Sequence, residues 1–251
     1  MGSDPHVTIV ADPDALAETA ARTILEAATE AVGARGSFKV ALAGGETPSA
    51  TYARLAGPPW SERMPWPHTW VFFGDERGVP PGHKDSNYGM AHRTLLSKVP
   101  VPAQQVFRIR GEAEDPEAAA AEYARHLATA FGLRRGELPR FDLILLGLGV
   151  DGHTASLFPG SPVLKEIFRT VAAVHATAAT VPQRFTLTLP VLNAAARVLV
   201  LVAGSEKAKA VKATLGESAT VPAAMVRPAT GELVWLMDRA AAALLPAAGA
   251  R

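Results

Sequence analysis

The segment Phe141 to Pro159, FDLILLGLGVDGHTASLFP, constrains this chain more than any other. Its apolar residues Phe141, Leu143, Ile144, Leu145 and Leu146 stop abruptly at Gly147. A short apolar run closed by glycines predicts a central strand of a parallel sheet, covered on both faces. Asp151 and His153 follow in a glycine turn. In an open α/β sheet, ligands sit beyond the carboxyl ends of the strands, where this turn falls. The segment is therefore the expected catalytic centre.

The remaining chain alternates strand and helix. Asp12-Pro13 is a helix start, with Leu16, Ala20, Ile24, Ala27 and Ala31 at helical spacing before Gly33 and Gly36. Strands are expected at Phe38–Ala43, Thr69–Phe73, Val106–Ile109, Val171–Val174, Arg184–Leu189, Arg197–Val202 and Leu233–Met237. Helices are expected over Ser49–Leu55, from the Ser86 cap to Ser97, from Asp115-Pro116 to Phe131, from Gly204-Ser205 to Leu215, and over Asp238–Leu245. Trp60 to His68, rich in proline and tryptophan, reads as loop, and Gly78 to Asp85, with two prolines and two glycines, reads as irregular. Such alternation predicts an α/β fold with a mostly parallel sheet and helices on both faces. A length of 251 residues suits one domain, taken as 7–246.

Composition excludes several classes. The chain has no cysteine, which removes disulfides, thiolate nucleophiles and cysteine metal sites. A net charge of +1 gives no bulk attraction to nucleic acid or to an anionic membrane. No apolar stretch approaches the roughly 20 residues of a membrane span, and no signal-peptide pattern opens the chain. A cytoplasmic protein is expected, acting on a small molecule. A monomer is the expectation for its assembly, with a weak homodimer left open.

Four turns follow four expected strands: Gly44 to Thr47, Asp75 to Arg77, Asp151 to His153, and Gly204 to Lys207. Any one is commonly structural. Parallel strands would collect them along one edge, where they join a phosphate-type loop, acids, a histidine and cations. Gly44-Gly45-Glu46-Thr47-Pro48 lacks the Gly-Lys-Ser/Thr ending of triphosphate loops, so a phosphate monoester is the better fit. Glu46 would repel that phosphate unless it points away. Gly147-x-Gly149-x-x-Gly152 matches the dinucleotide fingerprint, yet Pro159, Gly160 and Pro162 interrupt the helix it requires. Glu166 is spaced like the fingerprint's acid but does not close an apolar strand. NAD binding is rejected. His153 could be a core histidine, but its place beside an acid suits general-base chemistry, since an unperturbed imidazole titrates near ~6.5. No complete metal-ligand set is visible, and Ser156 lies in no nucleophile elbow.

The motifs AGGETP (43–48), GDERGVPPGHKDSN (74–87), GLGVDGHTASLFP (147–159), RFTLTLP (184–190) and GSEKAKA (204–210) resemble, in order, those of 6-phosphogluconolactonases. The resemblance implies hydrolysis of 6-phospho-D-glucono-1,5-lactone in the oxidative pentose phosphate pathway. It also implies a modified Rossmann-like, doubly wound sheet and no cofactor. Carried onto this chain, it makes His153 the general base and Asp151 its orienting group. Arg77 would stabilise charge near the reacting ester. Asp75 matches the first acid of the DER block. Gly44, Gly45 and Thr47, with Arg184 and Lys207, would hold the 6-phosphate. Arg77 could instead pair only with Asp75 or Glu76, and Arg184 could be a surface strand residue.

Glucosamine-6-phosphate deaminases resemble the chain at Asp75, Asp151 and His153 but carry a Glu five residues after the histidine, where this chain has Phe158. A sugar-phosphate sensor on the same fold would carry a preceding DNA-binding helix-turn-helix, for which the first ten residues leave no room. Both rank below the lactonase.

Overall fold

The computed structural model describes residues 5–177, 179–216 and 219–246. Its principal sheet contains β1 (His6–Val10), β2 (Phe38–Leu42), β3 (Thr69–Phe73), β5 (Leu143–Leu146), β8 (Arg197–Val202) and β9 (Glu232–Asp238). The order is β1-β9-β8-β5-β2-β3, and every pairing is parallel. All four residues of β5 are buried. Successive side chains alternate faces, so both faces of the sheet are covered at its centre. From β2 the chain moves outward to β3, and from β5 it moves the other way to β8 and β9. The strand order thus reverses between β2 and β5, which fixes the crevice for a ligand beyond their carboxyl ends.

Helix α1 (Pro13–Arg35) follows the expected signals: Asp12 accepts from Ala15 N–H at 2.8 Å, and Gly36 closes the helix at φ 74°. Its buried residues, from Leu16 to Ala31, lie at helical spacing. Helix α2 (Glu46–Leu55) begins three residues earlier than expected. The Trp60–His68 segment, expected as loop, contains α3 (Trp60–Arg63) and a turn of 3₁₀ helix, held as Trp60 and Trp66 bury their rings. Ser86 caps α4 (Asn87–Ala91), which continues as a π-helical turn over His92–Leu96. Helix α5 (Pro116–Phe131) is capped by Asp115 as expected.

A second sheet departs from the sequence reading. Strands β4 (Asp75–Arg77), β6 (Val171–His175) and β7 (Gln183–Leu187) form an antiparallel sheet in the order β4-β7-β6. Residues 75–77 were expected as a turn, and β6 and β7 as members of the parallel sheet. Gly74 joins the sheets: its N–H donates to Leu42 O at 2.9 Å, and its carbonyl accepts from Leu187 N–H at 2.8 Å. The expected strand Val106–Ile109 is reduced to one bridge, Val71 to Val106, because the chain turns away at Arg110–Ala113. After α6 (Leu189–Ala194) and β8, the expected helix from Gly204 opens as a 3₁₀ turn (Ser205–Lys207) before α7 (Ala208–Leu215). Asp238–Leu245 forms hydrogen-bonded turns rather than a helix, with the Asp238 side chain bonded to Ala241 N–H at 2.7 Å. The first strand, β1, carries no strong alternation and was not expected; it is a sheet edge paired only to β9.

Candidate active site

A cavity of about 680 Å³ opens over the reversal between β2 and β5. Residues from all four expected turns line it, including Gly44, Gly45, Thr47, Asp75, Arg77, His153, Gly204 and Lys207. Arg184 joins them from β7. The parallel sheet therefore brings the turns together as its geometry requires.

His153 and Asp151 form an imidazole–carboxylate pair on the wall of this cavity. Asp151 Oδ1 lies 2.5 Å from His153 Nδ1 and accepts from His153 N–H at 3.1 Å. An ionised carboxylate can only accept, so in this contact Nδ1 is the donor, and in the neutral imidazole that leaves Nε2 as the acceptor. Burial pushes the Asp151 carboxyl up, but the His153 N–H and imidazole together outweigh it and hold it below the ordinary aspartate value. Gly149 makes room: a Cβ there would stand 2.1 Å from His153 Nδ1 and 2.7 Å from Asp151 Oδ1. The turn is tied by Gly149 N–H to His153 O (2.8 Å) and by Thr154 Oγ1 to Gly147 O (2.8 Å). Ala155 has a left-handed φ of 47°, which places backbone strain two residues after the imidazole. The glycine fingerprint leads into no helix, and Glu166 instead closes a local turn on Phe168 and Arg169.

Asp75 is buried, with Oδ1 bonded to Asn87 Nδ2 (2.9 Å) and Oδ2 to Ser156 Oγ (2.8 Å). It ties β4 to the start of α4 and to the loop after His153. Glu76 is buried too, accepting from the N–H groups of Arg77, Asn87 and Tyr88 and from Ser86 Oγ. Burial pushes its carboxyl up against those N–H groups, which pull it down; the net shift is upward. Glu76 thus fastens both ends of the Gly78–Asp85 loop.

Neither Asp75 nor Glu76 takes the Arg77 guanidinium. Arg77 Nη1 donates to Asp85 O at 2.6 Å, while its buried Nε has no protein partner. Arg77 stands directly opposite Arg184 in the β4–β7 register. Like charges across a strand pair are unfavourable. Burial, and next the Arg77 charge, hold Arg184 below the ordinary arginine value. Such a pair fits an anion arriving between them. The Phe158 ring lies 4.6 Å from the His153 ring and 5.9 Å from the Arg184 guanidinium, so the imidazole and the cation share one wall.

Helix α2 follows the N-cap residue Gly45 (φ 106°), which makes no side-chain cap bond, and its first residues Glu46 and Thr47 line the cavity, where a helix start offers N–H groups without an intrahelical partner. Gly44 is required by close packing, because a Cβ there would meet Asn87 Oδ1 at 1.9 Å. Glu46 is exposed at the first position of α2, where a carboxylate is favourable for the helix dipole. Asn87, Ser156, Thr154 and Tyr52 were not among the expected site residues. Single polar side chains that bond to backbone or to another acid leave no periodic trace. Among the described residues, no cluster of three or more His, Asp or Glu side chains could hold a metal ion.

An open parallel sheet with an imidazole–carboxylate pair and two arginines lining a cavity at its switch point defines an α/β protein with a cleft of small-molecule size. Comparison with known proteins narrows this. The family described as glucosamine-6-phosphate isomerases/6-phosphogluconolactonase matches residues 11–235, and the chain belongs to that family. It is 42% identical over 250 residues to a 6-phosphogluconolactonase of Rattus norvegicus, covering 95% of this chain and 93% of that one. A 6-phosphogluconolactonase of Streptomyces coelicolor is 38% identical over 253 residues, covering 98% and 97%. The solved 6-phosphogluconolactonase of Trypanosoma brucei superposes with a TM-score of 0.84 at 33% identity, covering 98% of this chain and all of that one (100%).

Proposed function

We propose that this chain is a 6-phosphogluconolactonase, a hydrolase that opens 6-phospho-D-glucono-1,5-lactone to 6-phospho-D-gluconate in the pentose phosphate pathway. The observation that carries the reading is the Asp151–His153 contact at 2.5 Å, on the wall of the cavity that Arg77 and Arg184 also line. The similarity to lactonases along nearly the whole chain supports it.

In this reading His153 Nε2 takes a proton from water as the water oxygen bonds to the lactone carbonyl carbon. Asp151 fixes the imidazole and stabilises its positive charge. The carbonyl becomes an oxyanion, and Arg77 provides a cation held ready for that charge. The intermediate then collapses: the bond from carbonyl carbon to ring oxygen breaks, and that oxygen takes the proton back from the imidazolium. One water is added in total. Gly44, Gly45, Thr47, Arg184 and Lys207 hold the 6-phosphate, and this remote binding positions the ester. Asp75, with both oxygens already bonded, keeps the walls in register. The ligand is a small sugar phosphate, the protein a monomer, and its setting the cytoplasm.

The test is to generate the lactone with a glucose-6-phosphate dehydrogenase and follow its loss against the spontaneous rate. Acceleration of the phosphorylated lactone well beyond that of unphosphorylated glucono-lactone is expected. No acceleration of either would overturn the assignment. The deaminase reading fares worse on one observation: the apolar Phe158 ring stands against His153 where ring opening needs a carboxylate.

A further inference from the structure

Tyr52 is fully buried in α2, the helix whose first turn continues the Gly44-Gly45 loop. Its hydroxyl accepts from the N–H of Ala43 and donates to the carbonyl of the same residue, both at 2.9 Å. The last β2 residue paired to β3 is Leu42, so Ala43 lies just past the ladder with its polar groups in a buried place. A single phenol satisfies both. It also closes a ring: the chain leaves the sheet at Ala43, passes the glycines, enters α2, and is tied back nine residues later. The glycine loop is thereby held at its sheet end by the helix it leads into.

The neighbouring strand repeats the device. Tyr123, on α5, accepts from Phe73 N–H at 2.8 Å and donates to Phe73 O at 3.0 Å, just before Gly74 and Asp75. The two phenols are chemically equivalent and differ in the loop they govern.

We infer that Tyr52 is a positioning residue for phosphate recognition: by fixing Ala43 it sets the direction of the N–H groups that open α2. The inference rests on Gly44–Thr47 being the phosphate loop of the proposed function. A glycine loop has little stiffness of its own, so the aim of its donors depends on how its ends are held. Tyr52→Phe keeps the ring and its packing and removes only the hydroxyl.

The experiment titrates inorganic phosphate calorimetrically into wild type, Tyr52→Phe and Tyr123→Phe, and measures KM and kcat for the lactone in parallel. Tyr52→Phe is expected to bind phosphate about tenfold more weakly, equivalent to ~1.4 kcal/mol. Its KM should rise by a similar factor while kcat stays within about twofold. Tyr123→Phe, the matched loss of a buried hydroxyl, should keep phosphate affinity within about twofold. Wild-type phosphate affinity in Tyr52→Phe, or equal weakening in Tyr123→Phe, would overturn the inference. If no protein opens the lactone yet the phosphate pattern holds, the enzymatic reading falls and the role of Tyr52 stands. Should Tyr52→Phe fail to fold, amide NMR on wild type decides: phosphate must shift Ala43 together with Gly44 and Gly45, and a silent Ala43 would contradict the coupling.

Discussion

Gly149 matters to the site through the atom it lacks. The Asp151–His153 pair occupies the place of its missing Cβ, so Gly149→Ala must displace one member of the pair. A misplacement of about 1 Å in a catalytic constellation costs on the order of 10²-fold. Gly149→Ala is therefore expected to lower kcat by about that factor with the melting curve little changed, as read by steady-state kinetics and circular dichroism. Unchanged kcat would mean that the pair does not act in the geometry observed. His153, Asp151 and Gly149 were all legible as a glycine turn after an apolar strand. What the sequence could not convey was direction: nothing in Asp-Gly-His says that the imidazole turns back over Gly149.

Among the elements, acids that look alike in the sequence serve different ends. Glu166 has the spacing of a dinucleotide acid, but it closes a turn. The N–H of Arg169, its guanidinium and the N–H of Phe168 hold the Glu166 carboxyl at about 2. A folded value below the unfolded one means the turn gains stability above the ordinary glutamate range and loses it as pH falls toward about 2. Hydrogen exchange should show protection at Phe168 and Arg169 fading over that acid window. Glu166→Gln should remove the dependence; a dependence that survives it would assign the effect elsewhere. The parallel sheet is readable because β2, β3, β5, β8 and β9 are short, mostly apolar runs. The small sheet was not, because β4 is Asp-Glu-Arg, whose burial depends on hydrogen bonds from Asn87, Ser156 and the start of α4. No hydrophobic pattern announces a strand of that kind. The alanine-rich end after β9 erred in the opposite sense, offering helical composition where the Asp238 side chain organises turns.

At the scale of the whole molecule, the two sheets meet where the anion is expected. Gly74 bridges them, and Arg77 and Arg184 face each other across the smaller one. Opposed cations make the free protein less stable than the bound one, so phosphate should stabilise the fold. At 100 times its Kd, inorganic phosphate adds about 2.7 kcal/mol, a rise in Tm of roughly 5–10 °C for a chain of this size. Arg184→Met should lose most of that rise in a thermal shift assay; retention of the full shift would place the anion elsewhere. The central claim, that His153 activates water for the lactone, is tested most directly by kcat for wild type and His153→Ala side by side. A folded His153→Ala protein slowed by about 10²–10⁴, the usual worth of a general base, is the predicted result. Lactone opening at the wild-type rate in that variant would contradict it.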